Sequence, residues 1–301
     1  MKVPTCGRAA GKVILLGEHA VVYGRPGLAA GIGRFLTAEV SAEAGAARLE
    51  TDRAELAADG RPARLLTEAA RMLGLPDDGL VIRVRSELPA GVGLGSSAAL
   101  AVAVLRALAA AAERTLTAAE ELAMGTRLEA IFHGHPSGID PAAAALGTCL
   151  RFVRGEPPAI TAVRPSAPLR LTIAFHERPR RTSSLVTALR QRWEADRARH
   201  ERLFDEIGAL VDAGARAVAD GDIRTLGSAF DRNQALLSEL GVSSPEVEAL
   251  VGSARRAGAF GAKLTGGGGG GAIIAVGGEP ERLAAALAAT GACTIVTEVG
   301  A

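Results

Sequence analysis

The sequence predicts an α+β protein built from two domains. Short runs rich in Val and Ile alternate with Ala- and Leu-rich helical patterns, but they lack the regular strand–helix period of a doubly wound sheet. A length of 301 residues is typical of about two domains. Proline-containing breaks at 156–158 and 164–166 place the boundary near residue 165. The predicted domains are therefore 1–165 and 166–301.

Each predicted element has a local signal in the chain. Apolar or alternating runs bounded by glycine, proline or polar residues predict strands at 13–16, 80–84, 169–175, 272–276 and 294–299. Helical patterns occupy 97–114, 117–132, 184–210, 207–219, 244–257 and 280–289. Thr117 followed by Glu120 is the pattern of a capping box, so the second of these helices is expected to begin there.

Composition and charge argue against several classes of function. The 34 basic and 33 acidic residues give a net charge of +1, and only 3% of residues are aromatic, so nothing favours a nucleic-acid partner. Cys6, Cys149 and Cys293 are far apart, which indicates reduced thiols rather than a disulfide framework. The most apolar stretch, 98–112, contains Arg106 and is shorter than the roughly 20 residues that span a bilayer. We therefore expect a cytoplasmic protein with no membrane partner.

The segment SELPAGVGLGSSAA, residues 86–99, has the composition of an anion-binding turn. Its glycines let backbone N–H groups approach an anion, and the start of the following helix adds free donors and a positive dipole end. Ser96 and Ser97 lie where a hydroxyl could bind phosphate or a metal ion. An ordinary strand–helix turn would explain this segment equally well by itself. No Lys-Ser or Lys-Thr pair makes it a Walker A loop, and Ser96 replaces the third glycine of a dinucleotide-binding fingerprint.

Two further segments combine glycine with a buried strand. GKVILLGEHAVVYG, residues 11–24, has Lys12 before the apolar run and Glu18 and His19 after it, although a lone histidine near a core strand is more often structural. KLTGGGGGGAIIAV, residues 263–276, carries six consecutive glycines. Such a run is often a flexible linker, but here strand-like residues follow at once. A loop without side chains could close against a phosphate.

The segment EAIFHGHPSGID, residues 129–140, supplies two carboxylates. Glu129 lies on the last turn of a predicted helix, and Asp140 follows a turn of sequence Gly-His-Pro-Ser-Gly, residues 134–138. Carboxylates near a phosphate loop suit metal binding and the positioning of an acceptor hydroxyl. His133 and His135 have no third ligand spaced for zinc. Taken alone, the segment is also compatible with a solvated turn.

In this order, the four segments resemble the GHMP kinase superfamily, the small-molecule kinases named for galactose, homoserine, mevalonate and phosphomevalonate. The resemblance covers nearly the whole chain. Within the superfamily, the strings GEHAVV, SELPAGVGLGSSAA and HGHPSGID are most similar to those of mevalonate kinases. The strings RTSSLV at 181–186 and NQALLSELGV at 233–242 are also similar to theirs.

The resemblance implies transfer of the ATP γ-phosphate to the 5-hydroxyl of mevalonate, with Mg²⁺. It makes Asp140 and Lys12 catalytic, and it makes Ser97 and Glu129 the magnesium ligands. The implied ATP-binding residues are Ser86, Gly91, Val92, Gly93, Leu94, Gly95, Ser96 and Ser97. The implied mevalonate-binding residues are Lys12, Glu18, His19, Asp140 and Thr182.

The resemblance also implies an N-terminal domain like ribosomal protein S5 domain 2, a ferredoxin-like C-terminal domain, an active site in the cleft between them and a possible homodimer. Pro141 stands where mevalonate kinases usually have asparagine, which raises the question of how Asp140 is presented. The alternative within the superfamily is a kinase of phosphomevalonate, a sugar or homoserine. A non-catalytic nucleotide-binding protein would be expected to lack Asp140 or Lys12, and a nicotinamide-dependent dehydrogenase would need a dinucleotide-binding unit that is absent.

Overall fold

The structure is a computed structural model that describes residues 5–51, 60–76, 78–134, 136–176 and 182–299, without the side chains of residues 44, 46 and 182–184. Thr182 is the first residue of a helix, but its side chain, to which the resemblance assigns mevalonate binding, lies outside the described part. His135 lies outside it as well. Cys6, Cys149 and Cys293 are free thiols, as predicted.

Groups of strands and groups of helices follow one another along the chain. The strands are β1 (Thr5–Leu16), β2 (Gly27–Ala46), β3 (Arg48–Thr51), β4 (Asp78–Ser86), β5 (Cys149–Val153), β6 (Ala159–Ala162), β7 (Arg170–Phe175), β8 (Gly261–Leu264), β9 (Ile273–Val276) and β10 (Cys293–Glu298). The helices are α1 (Arg61–Met72), α2 (Ser96–Ala111), α3 (Ala118–His133), α4 (Ile139–Leu146), α5 (Thr182–Ala195), α6 (Arg197–Asp220), α7 (Ile223–Glu239), α8 (Pro245–Arg256) and α9 (Pro280–Ala288), with a 3₁₀ turn at Ala20–Tyr23. Because nearly all strand pairs are antiparallel, the α+β prediction is confirmed.

The described residues form two compact units that interleave along the sequence. The first unit takes its residues from Met1–Gly11, Arg34–Ala90 and Gly95–Gly147. The second takes them from Lys12–Gly33, Gly91–Leu94 and Thr148–Ala301. The glycine-rich segment at 86–99 therefore passes from one unit to the other twice. The domain boundary at residue 165 stays a prediction.

The first unit combines a sheet with helices α1 to α4. In this unit β4 pairs antiparallel with the 36–46 part of β2 and parallel with β3. Helix α2 is apolar on nearly all sides, which is typical of a buried helix, and its residues Ala98–Leu105 are all buried. Helix α3 begins where the sequence predicts, because Thr117 accepts from the Glu120 N–H and Glu120 reaches back to the Thr117 N–H.

Arg106 is the one charged residue of α2, and it connects three other elements of the first unit. It donates to both carboxylate oxygens of Glu121 on α3, at 2.5 and 3.0 Å. It also donates to the Arg8 carbonyl of β1 at 2.6 Å and to the Ala145 carbonyl of α4 at 2.7 Å. The last carbonyls of a helix have no partner within the helix, so Arg106 caps the C-terminal end of α4.

We expect Arg106→Met to lower the free energy of unfolding by about 2 kcal/mol, because hydrogen bonds to charged groups contribute more than neutral ones and the Ala145 carbonyl loses its donor. Urea denaturation measures this change. Arg83→Met is the matched control, since the ion pairs of Arg83 with Glu43 and Glu50 and its hydrogen bond to Ser41 are all exposed, and the substitution should cost less than about 1 kcal/mol. Equal losses for both variants would show that Arg106 is an ordinary surface residue.

The second unit contains a four-stranded antiparallel sheet in the order β10-β7-β9-β8. Counted from β7, this is the order 4-1-3-2, with helices between the first and second strands and between the third and fourth. It is the arrangement expected of a ferredoxin-like domain. The six glycines lie in the loop of the β8–β9 hairpin. The 27–30 part of β2 pairs with β5, and β5 pairs with β6.

The sequence predicts the break between the helices at 184–210 and 207–219 in the wrong place. Helix α5 ends at Ala195, and α6 runs without a break from Arg197 to Asp220. Asp196 is the N-cap of α6, because its carboxylate accepts from the Arg199 N–H at 3.2 Å. Helix α7 has no counterpart among the predicted elements; its N-cap is Asp222, which accepts from the Thr225 N–H at 3.0 Å.

An aromatic cluster packs the 3₁₀ turn against α5 and α6 within the second unit. The Tyr23 ring stacks on Phe204 with centroids 4.3 Å apart and meets Trp193 at 5.1 Å. The Trp193 indole N–H donates to Glu201 at 2.8 Å. None of the helices within the described ranges is both long and apolar enough to span a bilayer.

Candidate active site

Lys12 contacts Gly93 and Leu94 within the second unit. These belong to the glycine-rich segment 86–99, which we call the phosphate-loop segment. The Lys12 side chain is 2% exposed, and its Nζ donates to the Gly93 carbonyl at 3.4 Å. The Lys12 backbone N–H donates to the Leu94 carbonyl at 3.0 Å. The structure therefore brings together two segments that the sequence predicts to act together and that lie about 80 positions apart.

The glycine hairpin loop packs on the same segment. The Ala272 N–H donates to the Val92 carbonyl at 3.2 Å, and a Cβ built on Gly266 would lie 3.4 Å from Gly93. Gly268 has a φ of 75°, and a Cβ there would lie 2.1 Å from the Val242 carbonyl oxygen. A side chain at this position would therefore force the loop away from the segment that follows α7. Glycine allows three backbone segments to meet in the second unit.

Glu18 belongs to a buried polar group in the second unit. Its carboxylate forms an ion pair with Lys263, and the Asn233 side-chain N–H donates to its other oxygen at 3.0 Å. Lys263 also donates to the carbonyls of Ile14 and Leu264. Glu18, Asn233 and Lys263 are each at most 3% exposed. Burial raises the pKa of Glu18 and lowers the pKa of Lys263, and the attraction between their charges opposes both shifts.

His19 occupies a strained turn directly after Glu18. Its φ of 60° and ψ of −48°, with the Ala20 N–H donating to the Glu18 carbonyl at 2.7 Å, define a classic γ-turn. This turn is rare because it is strained. The imidazole is buried, and its Nε2 has no hydrogen-bond partner among the described residues. Burial lowers the pKa of His19 to about 4, so the ring is neutral near pH 7.

The buried neutral His19 makes stability depend on pH. Its pKa is about 4 in the folded chain against the ordinary 6.5, so the unfolded state binds the additional proton between these values. The free energy of unfolding should therefore fall with decreasing pH, and the His19 contribution between about pH 7 and pH 5 is about 2 kcal/mol. We expect His19→Asn, which tolerates a positive φ, to lose this contribution. Urea denaturation at both pH values tests it, and an unchanged pH dependence in the variant would contradict it.

The two predicted magnesium ligands lie on neighbouring helices of the first unit. Ser97 is in the first turn of α2, and Glu129 is buried on the last turns of α3. His133, one turn after Glu129, shares a hydrogen bond with Ser97 through its Nε2 at 3.0 Å. A hydroxyl and a carboxylate are hard oxygen donors, which fit Mg²⁺. Over the described ranges, His, Cys, Asp and Glu side chains form no cluster of three or more that could hold a metal. Phosphate oxygens and water would therefore complete the coordination.

Asp140 lies in the first turn of α4 in the first unit, after Gly138 with a φ of 91°. Pro141 also lies in this first turn, where the missing N–H costs no helical hydrogen bond. A Cβ on Gly125 of α3 would contact the Pro141 ring at 3.5 Å, so α3 and α4 pack closely here. Proline at this position therefore fits the helix start, and the Asp140 carboxylate gains from the positive end of the helix dipole.

Ser86, which the resemblance assigns to ATP binding, lies at the end of β4. Its hydroxyl accepts from the Leu88 N–H at 3.1 Å and so stabilises the turn into the phosphate-loop segment. Lys263 and Asn233 are the polar residues to which the sequence assigned no role. They are 245 and 215 positions from Glu18, and no local pattern connects residues so far apart. The catalytic and binding roles of the predicted residues stay predictions.

Comparisons with known proteins identify the family. The model for the GHMP kinases N terminal domain matches residues 62–148, and the model for the GHMP kinases C terminal domain matches residues 215–293. The mevalonate kinase of Pyrococcus abyssi is 31% identical, with 97% of this chain and 94% of the relative covered. The mevalonate kinase of Thermococcus sibiricus is 32% identical, with 97% and 95% covered.

A solved structure agrees with these relatives. The L. major mevalonate kinase, determined in complex with R-mevalonate, has a TM-score of 0.87 and 26% identity, with 99% of this chain and 96% of that chain covered. Similarity at this level extends through both compact units. The chain therefore belongs to the GHMP kinase family and is an ATP-dependent kinase.

Proposed function

We propose that the chain transfers the γ-phosphate of ATP to the 5-hydroxyl of (R)-mevalonate, giving 5-phosphomevalonate and ADP. The observation that carries the proposal is that relatives matching 97% of the chain at 31% and 32% identity are mevalonate kinases. In the reaction, a bond forms between the 5-oxygen and the γ-phosphorus, and the bond from the γ-phosphorus to the ADP oxygen breaks.

Asp140 and Lys12 are the proposed catalytic residues. The Asp140 carboxylate accepts or orients the proton of the 5-hydroxyl, and Lys12 stabilises the negative charge that develops on its oxygen. The position of Asp140 in the first turn of α4 and the burial of Lys12 support these roles, because both side chains are held by regular structure. Phosphoryl transfer needs such positioning more than it needs covalent catalysis.

The glycine-rich segment is the proposed ATP site. The first N–H groups of α2 have no acceptor within the helix, so they can donate to phosphate oxygens. Ser97 and Glu129 would hold Mg²⁺, which when bound neutralises charge on the ATP phosphates. Ser86 and the backbone from Gly91 to Ser96 complete this proposed site.

The residues that the resemblance assigns to acceptor binding are His19, Glu18, Lys12, Asp140 and Thr182, and we keep them as the proposed set. His19 supports this assignment, because it is neutral near pH 7 and its Nε2 has no partner within the described part of the chain. A neutral imidazole nitrogen can exchange one hydrogen bond with a substrate hydroxyl or carboxylate, depending on its tautomer. The resemblance also supports a cytoplasmic location and a homodimer. Light scattering after size exclusion would test the homodimer.

The test is ADP release by the purified chain with Mg-ATP and each of four acceptors. These are (R)-mevalonate, phosphomevalonate, galactose and homoserine. Turnover confined to mevalonate is the expected result. Turnover on a different acceptor would overturn the substrate but keep the kinase, and ATP binding without turnover on any acceptor would overturn the proposed function.

A further inference from the structure

The strained turn at His19 needs something to hold it. Residues in sparsely populated regions of φ and ψ persist only where their surroundings enforce the conformation, and such residues are typical of functional sites. After His19 the chain enters the 3₁₀ turn, which the aromatic cluster of Tyr23, Phe204 and Trp193 fixes. Before His19 the chain must be fixed at Glu18, since the turn closes on the Glu18 carbonyl.

Lys263 and Asn233 fix Glu18 from two other elements. Lys263 lies on β8, next to the glycine hairpin loop, and its ammonium contacts one Glu18 oxygen. Asn233 lies on α7, and its amide N–H donates to the other oxygen at 3.0 Å. Lys263 also donates to the Ile14 carbonyl at 3.5 Å. The side chain of Glu18 therefore connects the turn to a strand and to a helix of the second unit.

Asn233 has no other evident use for its side chain. It is 0% exposed, and its Oδ1 has no hydrogen-bond partner among the described residues. Burying an amide oxygen without a partner is costly, so a leucine would pack there at lower cost if packing were all that mattered. The hydrogen bond to Glu18 is what Asn233 provides.

We propose that Lys263 and Asn233 are positioning residues, which act through Glu18 to hold the strained turn and so orient the His19 imidazole for the acceptor alcohol. Glu18 is then the link between these residues and His19. The inference rests on the proposed function only for the identity of the acceptor. The orientation of His19 can be measured without any substrate.

The first readout is the pKa of His19, measured by NMR titration of its ring protons in the intact chain. The wild type should titrate near 4, because burial lowers the pKa and the charge of Arg192 lowers it further, against a Gly267 backbone hydrogen bond that raises it. In Asn233→Leu the imidazole should become exposed, and its pKa should rise toward about 6.5. The His19→Asn variant assigns the signal among the five histidines.

The matched control is Gln234→Met, at the next position of α7. Gln234 is also an amide and is 2% exposed, but it bonds to the Leu264 N–H, Ser243 and Glu248 rather than to Glu18. Both variants are expected to lower thermal stability. Only Asn233→Leu should move the His19 titration. A His19 pKa that stays near 4 in a folded Asn233→Leu variant, or that moves equally in Gln234→Met, would overturn the proposal.

The second readout separates the two substrates kinetically. Asn233→Leu should raise the KM for mevalonate or lower kcat by about tenfold, while the KM for ATP changes less than about threefold. Equal effects on both substrates would indicate general loss of structure. If Asn233→Leu does not fold, Asn233→Ser, smaller and polar, takes its place in both readouts.

Failure of this inference and failure of the proposed function give different results. If wild type does not phosphorylate mevalonate, the function fails, and the His19 titration still tests the positioning residues. If wild type phosphorylates mevalonate and neither readout separates Asn233→Leu from Gln234→Met, the inference alone fails.

Discussion

Asp140→Asn is expected to lower kcat for mevalonate by at least about 100-fold, with little change in the KM for ATP. The amide keeps the size of the carboxylate and its place in the first turn of α4, but it cannot accept the proton of the 5-hydroxyl. Steady-state ADP release at saturating ATP measures the loss.

The control for this prediction is the same substitution elsewhere in the first unit. Asp78 is exposed at the start of β4, and Asp78→Asn should leave kcat within about twofold of wild type. Circular dichroism establishes that both variants are folded. Near-normal turnover by a folded Asp140→Asn variant would remove Asp140 from the chemistry and leave it a residue of the helix start.

Lys263→Met is expected to lower the free energy of unfolding by about 3–5 kcal/mol, because removal of one partner leaves the other charge buried and unpaired. The side chains of Lys263 and Glu18 are 0% and 1% exposed, so water cannot replace the lost ammonium. Methionine keeps most of the length of lysine, which limits the cavity left behind. Urea denaturation at neutral pH measures the change.

The double variant Lys263→Met with Glu18→Gln tests the reason for this loss. If the cost comes from the unpaired carboxylate, the double variant should recover most of the lost stability, since neither charge then remains buried. Losses that simply add would show that the two side chains stabilise the fold independently. An exposed ion pair in the same unit, such as Arg232 with Glu206, should cost less than about 1 kcal/mol when Arg232 is replaced by methionine.

The elements that the sequence predicts well are those whose signal is local. The capping box at Thr117 and Glu120 fixes the start of α3, and the run of alanine and leucine places α2 within a few residues. Strand β1 is predicted only at 13–16, yet it runs from Thr5 to Leu16. Three of its first six residues are alanine or glycine, which have low strand propensity, and pairing with β2 makes it a strand.

The candidate site shows the same division between local and distant information. Glycines and short polar motifs mark the phosphate loop, Asp140 and His19, because backbone conformation and helix ends leave a signal within a few residues. The partners of Glu18 leave no such signal. Lys263 and Asn233 meet it only through the packing of β8 and α7. Sequence motifs identified His19, but they could not show that its backbone is strained.

The aromatic cluster gives this chain an intrinsic optical probe. The sequence has one tryptophan and one tyrosine, and Trp193 and Tyr23 both belong to the second unit, 5.1 Å apart. Tryptophan emission therefore follows the environment of the second unit alone, whereas far-ultraviolet circular dichroism weighs the helices of both units. Coincident denaturation curves from the two signals would mean that the units unfold in one cooperative step. Separated curves would give each unit its own stability, measured on the unlabelled chain.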